Sequence, residues 1–177
     1  MQYQCVNKHP KTGHVRRAAG FTLLELLVVI AIVGIVAAIG FSGFQSWTRF
    51  SQVKDASQSL KSAVTYARAE AIKHGGRVKI CGSTNSLFCN ADFATGWLVY
   101  YDANNNNVFN AADEILLVNE QPHANVAITV SDGSGNQVLQ LGFNHRGYPD
   151  TIFSVAASQG VVSEQFTLQP TGRIETL

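Results

Sequence analysis

The sequence predicts an α+β fold, one long N-terminal α-helix packed on a β-rich antiparallel head. Two patterns carry this reading. An unbroken apolar run passes into an amphipathic repeat that lasts to Gly75-Gly76. Beyond it stand short apolar runs, parted by clusters of Gly, Asn, Asp and Pro. The 177 residues suffice for one ordinary domain with a real core. An apolar content of 46% excludes a disordered chain. Only 14% of residues are charged, against about a quarter in soluble proteins, so part of the chain belongs outside water.

The first element is a leader, residues 1–20. It carries Lys8, Lys11, Arg16 and Arg17 and no acid. The second is the apolar run 21–44, in which Glu25 is the lone charge. A bilayer core of about 30 Å takes about 20 residues of helix, so this run is long enough to cross. Positive charge before it, with little directly after, predicts a cytoplasmic N-terminus and a single crossing. The run continues through Gly40, Phe41, Ser42, Gly43 and Phe44 without an A-x-A-like boundary, so a retained span is expected and not a removed secretory signal.

Glu25 is the anomaly in that run. A carboxylate deep in a membrane helix costs about 2.5–3.5 kcal/mol on insertion scales and tends to be functional. The alternative is an acid in the first helical turn, near the headgroups and favoured by the helix dipole.

The third element, 45–76, is an amphipathic helix. Phe50, Val53, Leu60, Val64, Ala67 and Ala71 recur at three- to four-residue steps, with Lys54, Lys61, Arg68 and Glu70 largely outside. Gly75-Gly76 supplies its C-cap. Unbroken from 21 to 74, the helix would run about 81 Å.

The fourth element, 77–177, is the head. Strands are predicted at 78–81, 96–101, 114–118, 126–130, 138–143, 152–156, 165–168 and 173–175, arranged as an antiparallel sheet or small sandwich. Asp132-Gly-Ser-Gly-Asn136 is a hairpin turn. Residues 80–177 hold Arg146 and Arg173 against nine acids. Residues 45–79 hold seven basic side chains against Asp55 and Glu70. A basic stalk and an acidic head can attract each other between subunits. The head has no basic stripe for nucleic acid.

Arg16-Arg17-Ala18-Ala19-Gly20, followed by Phe21-Thr22-Leu23-Leu24-Glu25 and a long apolar run, resembles the class III signal of type IV pilins and pseudopilins. The resemblance implies a pilin-like lollipop. It implies cleavage between Gly20 and Phe21 by a prepilin peptidase, with methylation of the new N-terminus. It also implies that Glu25 pairs with the ammonium of a neighbouring subunit and sets the axial register. A buried charge pair is costly to break, which suits a register device.

Further motifs are Ser59-Leu60-Lys61-Ser62-Ala63, Ala67-Arg68-Ala69-Glu70-Ala71-Ile72, Gly96-Trp97-Leu98-Val99 and Pro170-Thr171-Gly172-Arg173. They look like the GspH/FimT/FimU group of minor pilins and pseudopilins. Ser42 stands where major pilins usually have proline, which points to a minor subunit.

With Cys5 lost in the leader, Cys81 and Cys89 remain as a pair outside the cytoplasm. They close a nine-residue loop as a disulfide or stand as two thiols. Asp102, Asn104 and Asn106 have two readings. They are the first ligands of an EF-hand-like calcium loop, with Asn107 in place of its turn glycine and Asp113 at its last position. Or they are turn residues of an Asn-rich hairpin, Asn tolerating left-handed backbone. Arg173 occupies the place of a DNA-contacting arginine in DNA-uptake members of the group. Its companion position is Glu175, which repels phosphate. His74, His123 and His145 show no metal spacing and are expected as surface or cap residues. No nucleophile elbow, phosphate loop or zinc helix is present, so no enzyme activity and no cofactor are expected.

These readings predict a structural subunit of the inner membrane with a periplasmic head, later part of a filament. Its expected partners are the prepilin peptidase, other minor pilins and the major pilin. A type II secretion pseudopilus with its pseudopilins is the alternative assembly, and a DNA-binding competence pilin is disfavoured.

Overall fold

The computed structural model describes residues 20–90, 92–120 and 123–177, with backbone alone at 38–42. The chain divides into two compact units, 1–42 and 43–177. The helix α1, Leu23–His74, contributes to both.

In the first unit, Leu23, Leu26, Leu27, Ile30 and Val33 are all more than half exposed. A helix apolar on every side belongs in a protein core or a membrane. Among the described residues, no helix is long and apolar enough to cross a membrane. The expected span 21–44 includes positions 38–42, whose side chains lie outside the described residues.

In the second unit, α1 buries Val53, Ala56, Leu60, Ala63, Val64, Ala67 and Ala71. The alanines among them let the sheets approach closely. Phe50, assigned to this stripe from its spacing, is 54% exposed instead, because the head's cover of α1 begins at Val53. The helix ends as a Schellman motif. Gly76 N–H donates to Ala71 O, Gly75 N–H donates to Ile72 O, and Gly75 has φ +62°.

Among the described residues the head has eight strands. They are β1 Arg77–Gly82, β2 Gly96–Asp102, β3 Glu114–Glu120, β4 Ala127–Asp132, β5 Gln140–Phe143, β6 Phe153–Gln159, β7 Val162–Leu168 and β8 Ile174–Thr176. All pairs are antiparallel. One sheet has the order β3-β2-β1-β5, the other β4-β6-β7-β8. Side chains of α1 and both sheets share one core, including Ile80, Trp97, Phe143, Phe153 and Phe166.

The expected strand 138–143 divides. Gln137 bridges Ser131 and Val138 N–H donates to Val130 O, continuing the Asp132–Asn136 hairpin. Residues 140–143 then pair with β1 in the other sheet. This crossing ties the two sheets together.

β2 is buried on both faces. Its inner face meets the shared core. Its outer face forms a small cluster of Leu98 and Tyr100 with Cys81, under Phe109. The Tyr100 and Phe109 rings meet edge-on at 5.0 Å. Burial holds the Tyr100 hydroxyl well above its ordinary range.

Candidate functional site

Gly20, Phe21 and Thr22 precede α1 and are exposed. Among the described residues, no atom beyond its chain neighbours lies within 4 Å of where a Cβ on Gly20 would sit. Thr22 caps the helix. Glu25 N–H donates to Thr22 Oγ1 at 3.2 Å, and Leu26 N–H donates to Thr22 O at 3.2 Å. Thr22-x-x-Glu25 has the spacing of a capping box. Glu25 thus lies in the first turn, where the dipole favours an anion. The leader and Cys5 lie outside the described residues.

A second constellation fastens the covered half of α1 to the head. Arg68 reaches the turn between β7 and β8, where Nη1–H donates to Gly172 O at 2.6 Å and Nη2–H to Thr171 O at 3.2 Å. Gly172 has φ +76°, and a Cβ there would stand 2.7 Å from Arg68 Cζ. Its left-handed backbone favours glycine, and a Cβ there would also press on the end of the Arg68 side chain. Gly147, φ +75°, seats a second turn against Ile72 and Arg68.

Lys61 Nζ lies 2.7 Å from Glu164 Oε1 and 5.2 Å from the centre of the Phe166 ring. Ser57 Oγ–H donates to the same Glu164 oxygen. Tyr66 O–H donates to Leu116 O at 3.4 Å. Leu116 is the residue skipped where β3 bulges against β2, so Tyr66 satisfies the carbonyl that the bulge strands.

At the end of α1, Glu70 meets Lys73 at 2.9 Å and His74 at 3.1 Å. The hydrogen bond from Lys73 holds the Glu70 carboxyl below its ordinary range. The His74 ring stacks on Tyr101. His123 lies 2.9 Å from Asp55.

Cys81 and Cys89 are joined, with Cα atoms 5.5 Å apart. The bridge closes the loop beside the outer face of β1. Asp102 is fully buried. Its Oδ1 accepts from Asn106 N–H and its Oδ2 from Asn107 N–H. Asn104 Oδ1 also accepts from Asn106 N–H, and Asn106 Oδ1 from Val108 N–H. Asn105 and Asn107 take left-handed backbone. Asp113 accepts from Ala103 N–H and Asn110 N–H. The loop's oxygens thus accept from its own backbone. Among the described residues no three His, Cys, Asp or Glu side chains gather as a metal site. Arg173 is 76% exposed, with Nε 3.7 Å from Glu175 Oε1.

Sequence reasoning put Arg68 and Gly172 in separate motifs without joining them. It did not single out Tyr66, Glu164 or Lys79. Lys79 is nearly buried on the outer face of β1, 3.8 Å from Asp150. Burial lowers its pKa. A lysine inside an otherwise apolar strand run was the available signal.

The match to the model of the type II transport protein GspH covers residues 56–172. The prokaryotic N-terminal methylation motif matches residues 15–41. No curated protein matches the chain. The fold is similar to that of the type IV minor pilin FimU of Pseudomonas aeruginosa, with 18% identity, 74% of this chain and 92% of that one covered, and a TM-score of 0.52. It is also similar to the minor pseudopilin EpsH of the Vibrio cholerae type II secretion system, with 12% identity, 72% and 97% coverage, and a TM-score of 0.54. The GspH match spans the second half of α1 and nearly the whole head, and includes both the Arg68 contact and the Cys81–Cys89 bridge. The chain belongs to the GspH family of minor pilins and pseudopilins.

Proposed function

We propose that the chain is a minor subunit of a type IV pilus, working in pilus assembly or priming. One observation carries this reading. The methylation motif runs into a capped helix whose first turn holds Glu25. Prepilin peptidase cuts the Gly20–Phe21 bond and methylates Phe21. Residues 21–44 anchor the chain in the inner membrane, with the head in the periplasm. The helix then packs among major and minor pilins, and Glu25 pairs with a neighbour's N-terminal ammonium. The work is binding, and no catalytic step is assigned.

The description of the matched family, a type II transport protein, favours a second reading. In it the same subunit joins a secretion pseudopilus. Sheared filaments analysed by mass spectrometry separate the two. A peptide starting at methylated Phe21, at low copy beside a major pilin, is the expected result. A processed chain confined to the envelope would move the assignment to the pseudopilus. Glu25→Ala is expected to leave membrane insertion intact and reduce incorporation. Normal incorporation would leave Glu25 as a helix-end acid alone.

A further inference from the structure

The chain has two tryptophans, and they live in opposite surroundings. Trp97 is 1% exposed inside the head's core, whereas Trp47 on α1 is 66% exposed. Phe44 at 64% and Phe50 at 54% flank it one turn away on either side. The Phe44 and Trp47 rings lie 6.2 Å apart. Among the described side chains of α1, the first buried one is Val53. Residues 43–50 therefore form a collar that the head leaves uncovered. Three large aromatic rings in water are costly, since each carries a large apolar surface.

The sequence on either side narrows the choice of what covers the collar. Residues 26–48 carry no charge. A bilayer core takes about 20 residues of helix, so a crossing that begins just after Glu25 ends a residue or two before Trp47. Arg49 follows, and Lys54 sits with Nζ 6.0 Å from the centre of the Phe50 ring. Tryptophan beside basic residues suits the headgroup layer. There its ring lies among acyl chains, its indole N–H meets water or ester oxygens, and the cations meet phosphates.

We infer that Phe44, Trp47 and Phe50 form an interfacial anchor. It seats the collar in the periplasmic headgroup layer, with Arg49 toward lipid phosphate. This rests on the membrane-insertion reading above. The partner is the lipid interface; the competing occupant is a neighbouring subunit.

The test uses the full-length chain in phosphatidylcholine–phosphatidylglycerol vesicles. The lipids carry bromine either near the headgroup or near the chain end, and tryptophan emission is read. Wild type is compared with Trp47→Leu, whose exposed site leaves the head core intact. The difference between them is the Trp47 signal. The expected result is about twofold stronger quenching of that signal by the shallow bromines than by the deep ones. Trp47→Tyr should keep the chain at the vesicle surface as wild type does.

Stronger quenching by the deep bromines would overturn the interfacial assignment. A chain that floats with the vesicles while Trp47 stays unquenched would overturn the anchor and leave the collar to a neighbouring subunit. A chain that does not float at all would overturn membrane insertion itself, and the anchor with it. Flotation thus separates failure of the broader reading from failure of this one.

Discussion

The two halves of α1 make the same backbone and face different surroundings. Leu27 and Ile30 stand exposed in the first unit, at 57% and 61%. Leu60 and Val64 in the second are at 0% and 1%. In the first half large aliphatic side chains occupy every side. In the second, large residues share one stripe with Ala56, Ala63, Ala67 and Ala71, and most other positions are polar or charged. The difference teaches that the arrangement of the large residues tracks the neighbour. In the buried stripe alanines let a sheet approach the helix axis, while in the first half Ala31 and Gly34 stand exposed among large residues.

The largest expected break in this comparison is a matched pair of truncations. Leu60→Ala should lower head stability by about 2–5 kcal/mol, because a fully buried side chain leaves a cavity. Leu27→Ala should change it by less than about 0.5 kcal/mol. Urea unfolding in detergent, followed by Trp97 emission, reads both. Equal effects would remove the distinction between the halves.

Next in size is the disulfide. Replacing Cys81 and Cys89 together by serine should cost about 2–3 kcal/mol through the freed loop. Non-reducing electrophoresis and the same unfolding assay check it. An unchanged midpoint would show that Tyr100, Leu98 and Phe109 hold the outer cluster without the bridge.

A smaller, sharper comparison sets Gly172→Ala against Gly160→Ala. Both have positive φ, so each should cost about 1–2 kcal/mol for left-handed backbone. Only at Gly172 would the added Cβ also press on Arg68, while no atom of the described residues beyond the chain neighbours lies within 4 Å of a Cβ at Gly160. The excess cost at Gly172 therefore measures the helix-to-turn lock. It should shrink when Arg68→Ala is added, and equal costs would argue against the lock.

The smallest expected effect is on pH. The Asp132 carboxylate accepts from backbone N–H groups of Asn136 and Ser134, which hold it below its ordinary 3.8. A depressed carboxyl contributes stability that is fully present above the unfolded value. That stability is lost as pH falls through the folded one. Glu70, lowered by Lys73, behaves likewise below 4.5. Thermal melts from neutral to acid pH should show this loss, and Asp132→Asn should flatten part of it. An unchanged slope would remove the turn's share.

Most of the fold was legible because it depends on neighbours in sequence. Eight strands appear where alternation and turn residues placed them, with ends moved by one to three residues in most cases. The helix stops at its glycine pair, as expected, and starts at Leu23, two residues after the expected start. The strand at 138–143 was not legible as two pieces. Its switch from β4 to β1 depends on where two sheets meet, which no local pattern encodes. Phe50 fitted the apolar spacing, but where the cover begins is a property of the head. The N-terminal methylation motif and the Cys81–Cys89 pair were legible as motif and spacing. Arg68 on Gly172 was not, because its partners lie 104 residues apart.

The sequence by itself determined the long helix, its two characters, the number of strands, the turn chemistry and the processing motif. Each follows from periodicity, capping or charge over a few adjacent residues. Tertiary structure alone decided the two-sheet order and the crossing between sheets. It also decided the grip of Arg68 on the last turn. These depend on which distant groups share a buried space, where an unpaired donor or carbonyl costs more than any local preference returns.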